Sequence, residues 1–202
     1  MSTVSRIAGF RPVKTVTGPY TGQANVYFVP ASDASVIMVG DLVKLLGDSR
    51  SPTGTPTVTR LSAATDPTVG VVVGILFSGM GDVQNVPPVT DLNTPVYRRA
   101  STDRYLLVAD DPSLVLEAQT SASLLTTDVG LNASPRLTAG NTASGASGMD
   151  IDMSTKATTA TLVLKLVGFA YKPDNNIGDA FTVAQVRINN HQLNSGTGSL
   201  GV

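Results

Sequence analysis

The sequence predicts an all-β fold: a sandwich or barrel, with the jelly roll as one form of it, bearing extended N- and C-terminal arms and little helix. Three observations predict it. The 202 residues include 25 Val and 24 Thr, β-branched types that suit a pleated, half-buried surface better than a helix. The 19 Gly and 12 Pro are scattered throughout and break the chain at short intervals. Between those breaks lie roughly eight to ten short apolar or alternating runs, the pattern of a sandwich or barrel. Hydrophobic residues make up 42%, enough for a core, but aromatics are 5% and Trp is absent, so that core is aliphatic.

The chain divides into an extended N-terminal arm at 1–25, a single β domain at 26–188 and an extended C-terminal tail at 189–202. Up to Pro30 the ionisable side chains are Arg6, Arg11 and Lys14, all positive, among helix-breaking Gly and Pro. VYFVP at 26–30 reads as a short strand ended by proline. VIMVGDLVKLLG at 36–47 reads as strand with a turn or bulge at Gly40-Asp41, and DSRSPTGTP at 48–56 as a flexible loop. PTVTRL at 56–61 alternates. Asp66-Pro67 turns the chain into the buried run VGVVVGILF at 69–77. The Gly-, Pro- and Asn-rich stretch 78–95 lacks periodicity and reads as a long contact loop. Strands are expected again at 104–109 and 113–119, a strand or short helical turn at 123–133, and a polar loop at 137–150. TATLVLKLVGFAY at 159–171 reads as the clearest long strand. PDNNIGD at 173–179 reads as a turn, and FTVAQVRIN at 181–189 alternates.

Charge and composition narrow the function. A formal net charge of −1 lacks the basic excess of a nucleic-acid binder. There is no Cys and a single His, His191, so thiolate and multi-histidine metal sites are excluded and no metal or cofactor is expected. No run has the length of a membrane span, and MSTVSRIAGFRPVK has no apolar signal core, so no membrane partner is expected and synthesis in the cytoplasm is.

Several motifs invite chemistry. Asp110 and Asp111 are adjacent carboxylates, but neighbours on a strand face opposite ways, and Asp-Asp-Pro is a turn sequence. KLLGDS at 44–49 resembles the nucleophile block of one lipase and esterase family. That family places an Asp three residues before its His, and position 188 is Ile, so His191 lacks its orienting acid. Gly196, Gly198 and Gly201 have dinucleotide-loop spacing, yet no helix follows them. Asp150 and Asp152 form a DxD pair, read as a solvated strand edge before a Ca²⁺ site. Asn132-Ala-Ser134 matches a glycosylation acceptor without a secretory signal to support it. No catalytic residue is assigned, and the chain is expected not to be an enzyme.

A series of blocks then runs through the chain in order: GFRPV at 9–13, YFVPASDAS at 27–35, VGDLVKL at 39–45, DPTVGVVVG at 66–74, YRRASTDRYLLVADDP at 97–112, DVGLNA at 128–133, SGMDID at 147–152, TTATLVLKLVGF at 158–169, PDNNIG at 173–178 and RINNHQL at 187–193. Together they resemble the structural cement, or capsid decoration, proteins of tailed bacteriophages. The resemblance implies a non-enzymatic, β-rich virion protein on the outer surface of an expanded HK97-type capsid. It implies the major capsid protein as partner, and self-association, with a trimer favoured over a dimer. In that setting Arg6, Phe10, Arg11 and Lys14 are candidates to lay the arm on an acidic coat surface. Asn189, Asn190, His191 and Gln192 are candidates to hydrogen-bond a neighbour from the tail. Removing residues 1–14 is then expected to weaken shell binding and leave the β core folded. The other readings are a carbohydrate- or receptor-binding β module, which the scarcity of aromatics disfavours, and an esterase using Ser49.

Overall fold

The computed structural model describes residues 4–76, 96–194 and 198–201. The loop expected at 78–95 and the last residue of the 69–77 run lie outside the described residues. The described residues form eleven strands and one 3-10 turn, Thr126–Asp128. The strands are β1 (Arg11–Lys14), β2 (Asn25–Val29), β3 (Leu42–Arg50), β4 (Thr55–Arg60), β5 (Gly70–Leu76), β6 (Arg104–Ala109), β7 (Val115–Gln119), β8 (Asn132–Arg136), β9 (Asp150–Ala157), β10 (Leu164–Phe169) and β11 (Val183–Ile188). The protein is all-β, in two packed layers.

One layer is a six-stranded sheet in the order β1-β7-β11-β10-β8-β9; the other closes as a five-stranded barrel, β2-β4-β3-β5-β6. The named strand pairs are antiparallel except β2 and β4, which run parallel at Phe28 and Thr57 and complete the barrel. The chain starts in the sheet, leaves to build the barrel, and returns to finish the sheet. Closure removes the unpaired edges that an open sheet of five strands would expose.

Two cores follow from this arrangement. Tyr27, Val29, Ile37, Val43, Val58, Val72, Leu106 and Val108 fill the barrel. The larger core lies between the layers, where Leu116, Ala118, Leu164, Leu166, Ala184 and Val186 from the sheet meet Phe10, Leu42, Leu61, Val71 and Ala109. Alternation sets this up: β11 reads Val-Ala-Gln-Val-Arg-Ile, and Ala184, Val186 and Ile188 are its buried members. At the barrel rim the Arg50 guanidinium lies 4.7 Å from the Phe28 ring and 5.0 Å from that of Tyr105, covering two aromatic faces with one cation.

The arm is part of the fold. Arg11–Lys14 is the edge strand β1, paired with β7, and Phe10 is 2% exposed in the inter-layer core. Gly9 permits this placement. Its φ is +75°, and a Cβ there would lie 2.5 Å from both the Gly40 carbonyl oxygen and the Ser147 Cβ. The close approach lets the Phe10 amide donate to the Gly40 carbonyl at 2.9 Å, tying the arm to the barrel.

Four segments differ from expectation. The 48–56 stretch is a β3–β4 hairpin with a short turn, because Thr and Arg side chains carry the alternation past Gly47. The long strand expected at 159–171 shrinks to Leu164–Phe169. Its first residues are held in a turn by Asn189, whose Nδ2 donates to the carbonyls of Ala160 and Leu162 at 2.9 and 3.0 Å, acceptors a ladder would otherwise use. The polar stretch before Asp150 delivers the chain to an eight-residue strand, β9, which pairs with β8 despite Pro135. The tail folds back: residues 190–192 form a parallel bridge to Thr68, and the Gly201 amide donates to the Thr158 carbonyl at 2.9 Å.

Candidate functional site

Of the residues singled out in the arm, Arg6, Arg11 and Lys14 lie on the outer face of the six-stranded sheet, while Phe10 turns into the inter-layer core. A groove of about 390 Å³ runs there between the N-terminal segment, β7 and the 172–175 loop. Gln119 is its fastener. Its Oε1 accepts the Arg6 amide at 2.8 Å, and its Nε2 donates to the carbonyls of Val4 and Phe181 at 3.3 and 3.0 Å. Beside it Glu117 receives Lys172 Nζ at 2.6 Å and lies 3.8 Å from the Arg11 guanidinium. Arg6 lies 3.9 Å from Asp174. These links leave the side chains of Arg6 and Arg11 75% and 70% exposed. Lys14 is exposed too, whereas Phe10 is covered by the core and has no surface to offer a partner. β7 is thus covered on both faces, its Leu116 and Ala118 by the barrel and its Glu117 and Gln119 by the arm.

The tail residues are brought together as an internal strap. Asn189 Oδ1 accepts from the Ser199 amide and hydroxyl at 2.9 and 3.1 Å, which adds to its two carbonyl contacts. The Asn190 carbonyl accepts the Thr68 amide at 2.9 Å, and the Gln192 side chain accepts the Leu45 amide at 2.7 Å. His191 is 5% exposed. Its Nδ1 accepts the Leu193 amide at 3.1 Å, and its Nε2 is buried with no hydrogen-bond partner among the described residues. Burial pushes the imidazole pKa below its ordinary value, and the nearby carboxylates Asp110 and Asp111 only partly offset this. The Asn189 amide and the Gln192 side-chain oxygen are thus engaged within the chain, so the bonds of this segment run inward.

The other motifs resolve structurally. Asp110 and Asp111 do sit at a turn, the one that carries the chain from β6 of the barrel to β7 of the sheet. Asp110 accepts from Tyr27 OH at 2.6 Å and from Asn25 Nδ2, while Asp111 accepts the Ser113 amide at 2.7 Å. The GDS block forms a bulge in β3, where the register slips between Leu45 and Ser49 and the Asp48 carboxylate accepts the Thr57 hydroxyl. Ser49 is exposed and makes no hydrogen bond to His191. Of the tail glycines, Gly196 lies outside the described residues, while Gly198 and Gly201 pack closely, since a Cβ would lie 2.4 Å from the Ala160 carbonyl oxygen at the first and 3.0 Å from that of Ala157 at the second. Asn132 is fully buried, donating to the carbonyls of Thr159 and Ser199 at 3.0 and 2.7 Å.

The DxD pair is split by burial. Asp152 is half-buried and caps Ser154, but Asp150 is fully buried and accepts from Nε and Nη2 of Arg136, so it is no solvated edge residue. No group of three or more His, Cys, Asp or Glu with metal-site geometry occurs among the described residues.

Sequence reasoning missed two polar hubs. Arg98 is fully buried and donates to the carbonyls of Pro30, Asp33, Ser35 and Thr102. Asp41 accepts from the Met38 amide, Ser147 Oγ and Arg60 Nε. Burial raises the Asp41 pKa against the pull of these donors. The one available signal was Arg98 standing in a run of extended character with a Pro three residues before it. No family model, no curated protein and no solved structure matches the chain.

Proposed function

We propose that this protein is a non-enzymatic structural component of a phage virion. In this reading it binds the outer surface of an expanded HK97-type capsid and bridges neighbouring coat subunits. The observation that carries the reading is the arm: Arg6 and Arg11 are presented in the open on a rigid sheet while the backbone beneath them is clamped by Gln119. Exposed cations on a fixed backbone lose little freedom on docking to an acidic surface. A chain that binds only the expanded shell stabilises that state by its differential affinity. A homo-oligomer, a trimer before a dimer, multiplies modest contacts into avidity. The blocks resembling cement proteins, spread from residue 9 to residue 193, support the same reading.

Co-sedimentation with empty compact and expanded shells tests it. Preferential binding to expanded shells, reduced at least several-fold in an Arg6→Glu/Arg11→Glu variant, is the expected result. Equal absence from both shells removes the reading. Charge reversal replaces deletion of residues 1–14 as the test, because deletion would also remove Phe10 from the core.

A further inference from the structure

The outer sheet face carries a row of cations, none of which makes an ion pair among the described residues. Cross-strand pairing sets Lys165 opposite Arg187, Arg187 opposite Val115, and Val115 opposite Lys14. Paired residues share a face, and Gln185, two before Arg187, pairs with Glu117, so this is the face that bears the groove. Lys14 joins the row through a register slip between Pro12 and Lys14, which lets it face the same way as Arg11 three residues earlier.

Like charges directly opposite each other destabilise a sheet, and Lys165 with Arg187 is such a pair. Among the described residues neither makes an ion pair. Lys165 Nζ donates to Ser199 Oγ at 3.1 Å and to the Leu200 carbonyl at 2.6 Å. Arg187 donates to the Pro112 carbonyl at 3.1 Å, its Nε is buried without a partner among the described residues, and Asp111 feels its charge without forming an ion pair. The Lys14 ammonium is exposed and unpartnered among the described residues. The one carboxylate in the next row, Glu117, is already shared by Arg11 and Lys172. The chain as a whole is slightly acidic, so this face runs against the overall balance.

We propose that the row Lys14, Arg187 and Lys165 is a docking site for carboxylates on an acidic protein surface. That the surface belongs to a capsid shell rests on the reading above; the site itself does not. Adjacent strands lie about 4.8 Å apart, a spacing at which one carboxylate reaches both Lys165 and Arg187. Nucleic acid fits less well: a short row of three cations on a chain with no basic excess neutralises too few phosphates to drive counterion release.

The test uses the full chain and titrates it with poly-L-glutamate, with single-stranded oligothymidylate of equal charge, and with expanded shells. The variants are Lys165→Gln/Arg187→Gln and, separately, Lys14→Glu, whose exposed side chain makes no bond that folding needs. Binding of poly-L-glutamate that weakens with salt, and by about tenfold in each variant at unchanged thermal stability of Lys14→Glu, is expected. No binding of poly-L-glutamate by the unaltered chain, or unchanged binding by Lys14→Glu, overturns the proposal. Tighter binding to oligothymidylate than to poly-L-glutamate overturns it as well. Variant-sensitive poly-L-glutamate binding without any shell binding keeps the site and removes the capsid reading. Shell binding indifferent to both variants removes the site and keeps the capsid.

Discussion

Arg98 shows what one buried cation does when its partners are mostly carbonyls. Its guanidinium joins the 30–35 turn to the 98–102 turn, and Asp33 Oδ1 lies 3.8 Å away. Burial alone would raise the Asp33 pKa, but hydrogen bonds from Ser35 and the charge of Arg98 together bring it below the ordinary value. An Arg98→Met substitution keeps much of the volume and strands four carbonyls and a carboxylate. It should cost about 3–5 kcal/mol, read as a lowered urea midpoint at unchanged slope.

His191 makes a second prediction at the same scale. The native imidazole resists protonation because it is buried, while the unfolded chain takes up a proton near pH 6.5. Stability is therefore full above pH 6.5 and falls as pH drops through the window below it, since the unfolded state then binds the extra proton. Protonation would also set an Nδ1 proton against the Leu193 amide. In urea titrations between pH 8 and 5, a His191→Asn variant, which can still accept that amide, should lose this part of the pH dependence. An identical slope in both proteins would refute the assignment. Neither residue's role was legible in the sequence, because the carbonyls around Arg98 come mostly from a distant turn and the burial of His191 depends on the tail folding back beside Thr68.

At the scale of elements, legibility followed periodicity. β11 was readable because apolar and polar residues alternate after a turn signal, and β6 and β7 because their apolar runs flank the Asp110-Asp111-Pro112 turn. β8 and β9 were not, because Pro135 and the polar 137–149 stretch mimic a continuous loop, and only the pairing of Arg136 with Asp150 across the ladder reveals the strands. The arm was misjudged for a related reason: Gly9 and Pro12 read as breakers, whereas the first allows a close crossing and the second sits in an edge strand, where a missing amide is tolerated. The Gly9→Ala variant tests that crossing. Positive φ costs an alanine about 1 kcal/mol, and the clash with Gly40 and Ser147 adds about 1–3 kcal/mol. The expected outcome is a clear fall in thermal midpoint with the barrel intact, and increased proteolysis N-terminal to β1. A midpoint equal to that of the unaltered protein would mean the arm is not locked there.

For the whole molecule, the composition revealed the layers but not their connection. Val, Thr, Gly and Pro content implied packed sheets, yet nothing local announced that the first strand belongs with the last five, since that pairing spans more than a hundred residues. The consequence is mechanical. The inter-layer core draws on the arm, the barrel and the sheet at once, so neither layer can expose its half without stripping the other. Phe10 is the arm's contribution, and removing a buried phenylalanine side chain costs about 3–5 kcal/mol. Deletion of residues 1–14 takes away that ring and the β1 ladder together, which exposes the outer edge of β7 and the Glu117 and Gln119 side chains beneath the arm. The deletion should therefore unfold well below the full chain in calorimetry, and both should melt in one transition, with sheet and barrel lost together. Two resolved transitions in the full chain, or an unshifted midpoint in the deletion, would show that the arm only rests on a body that folds without it.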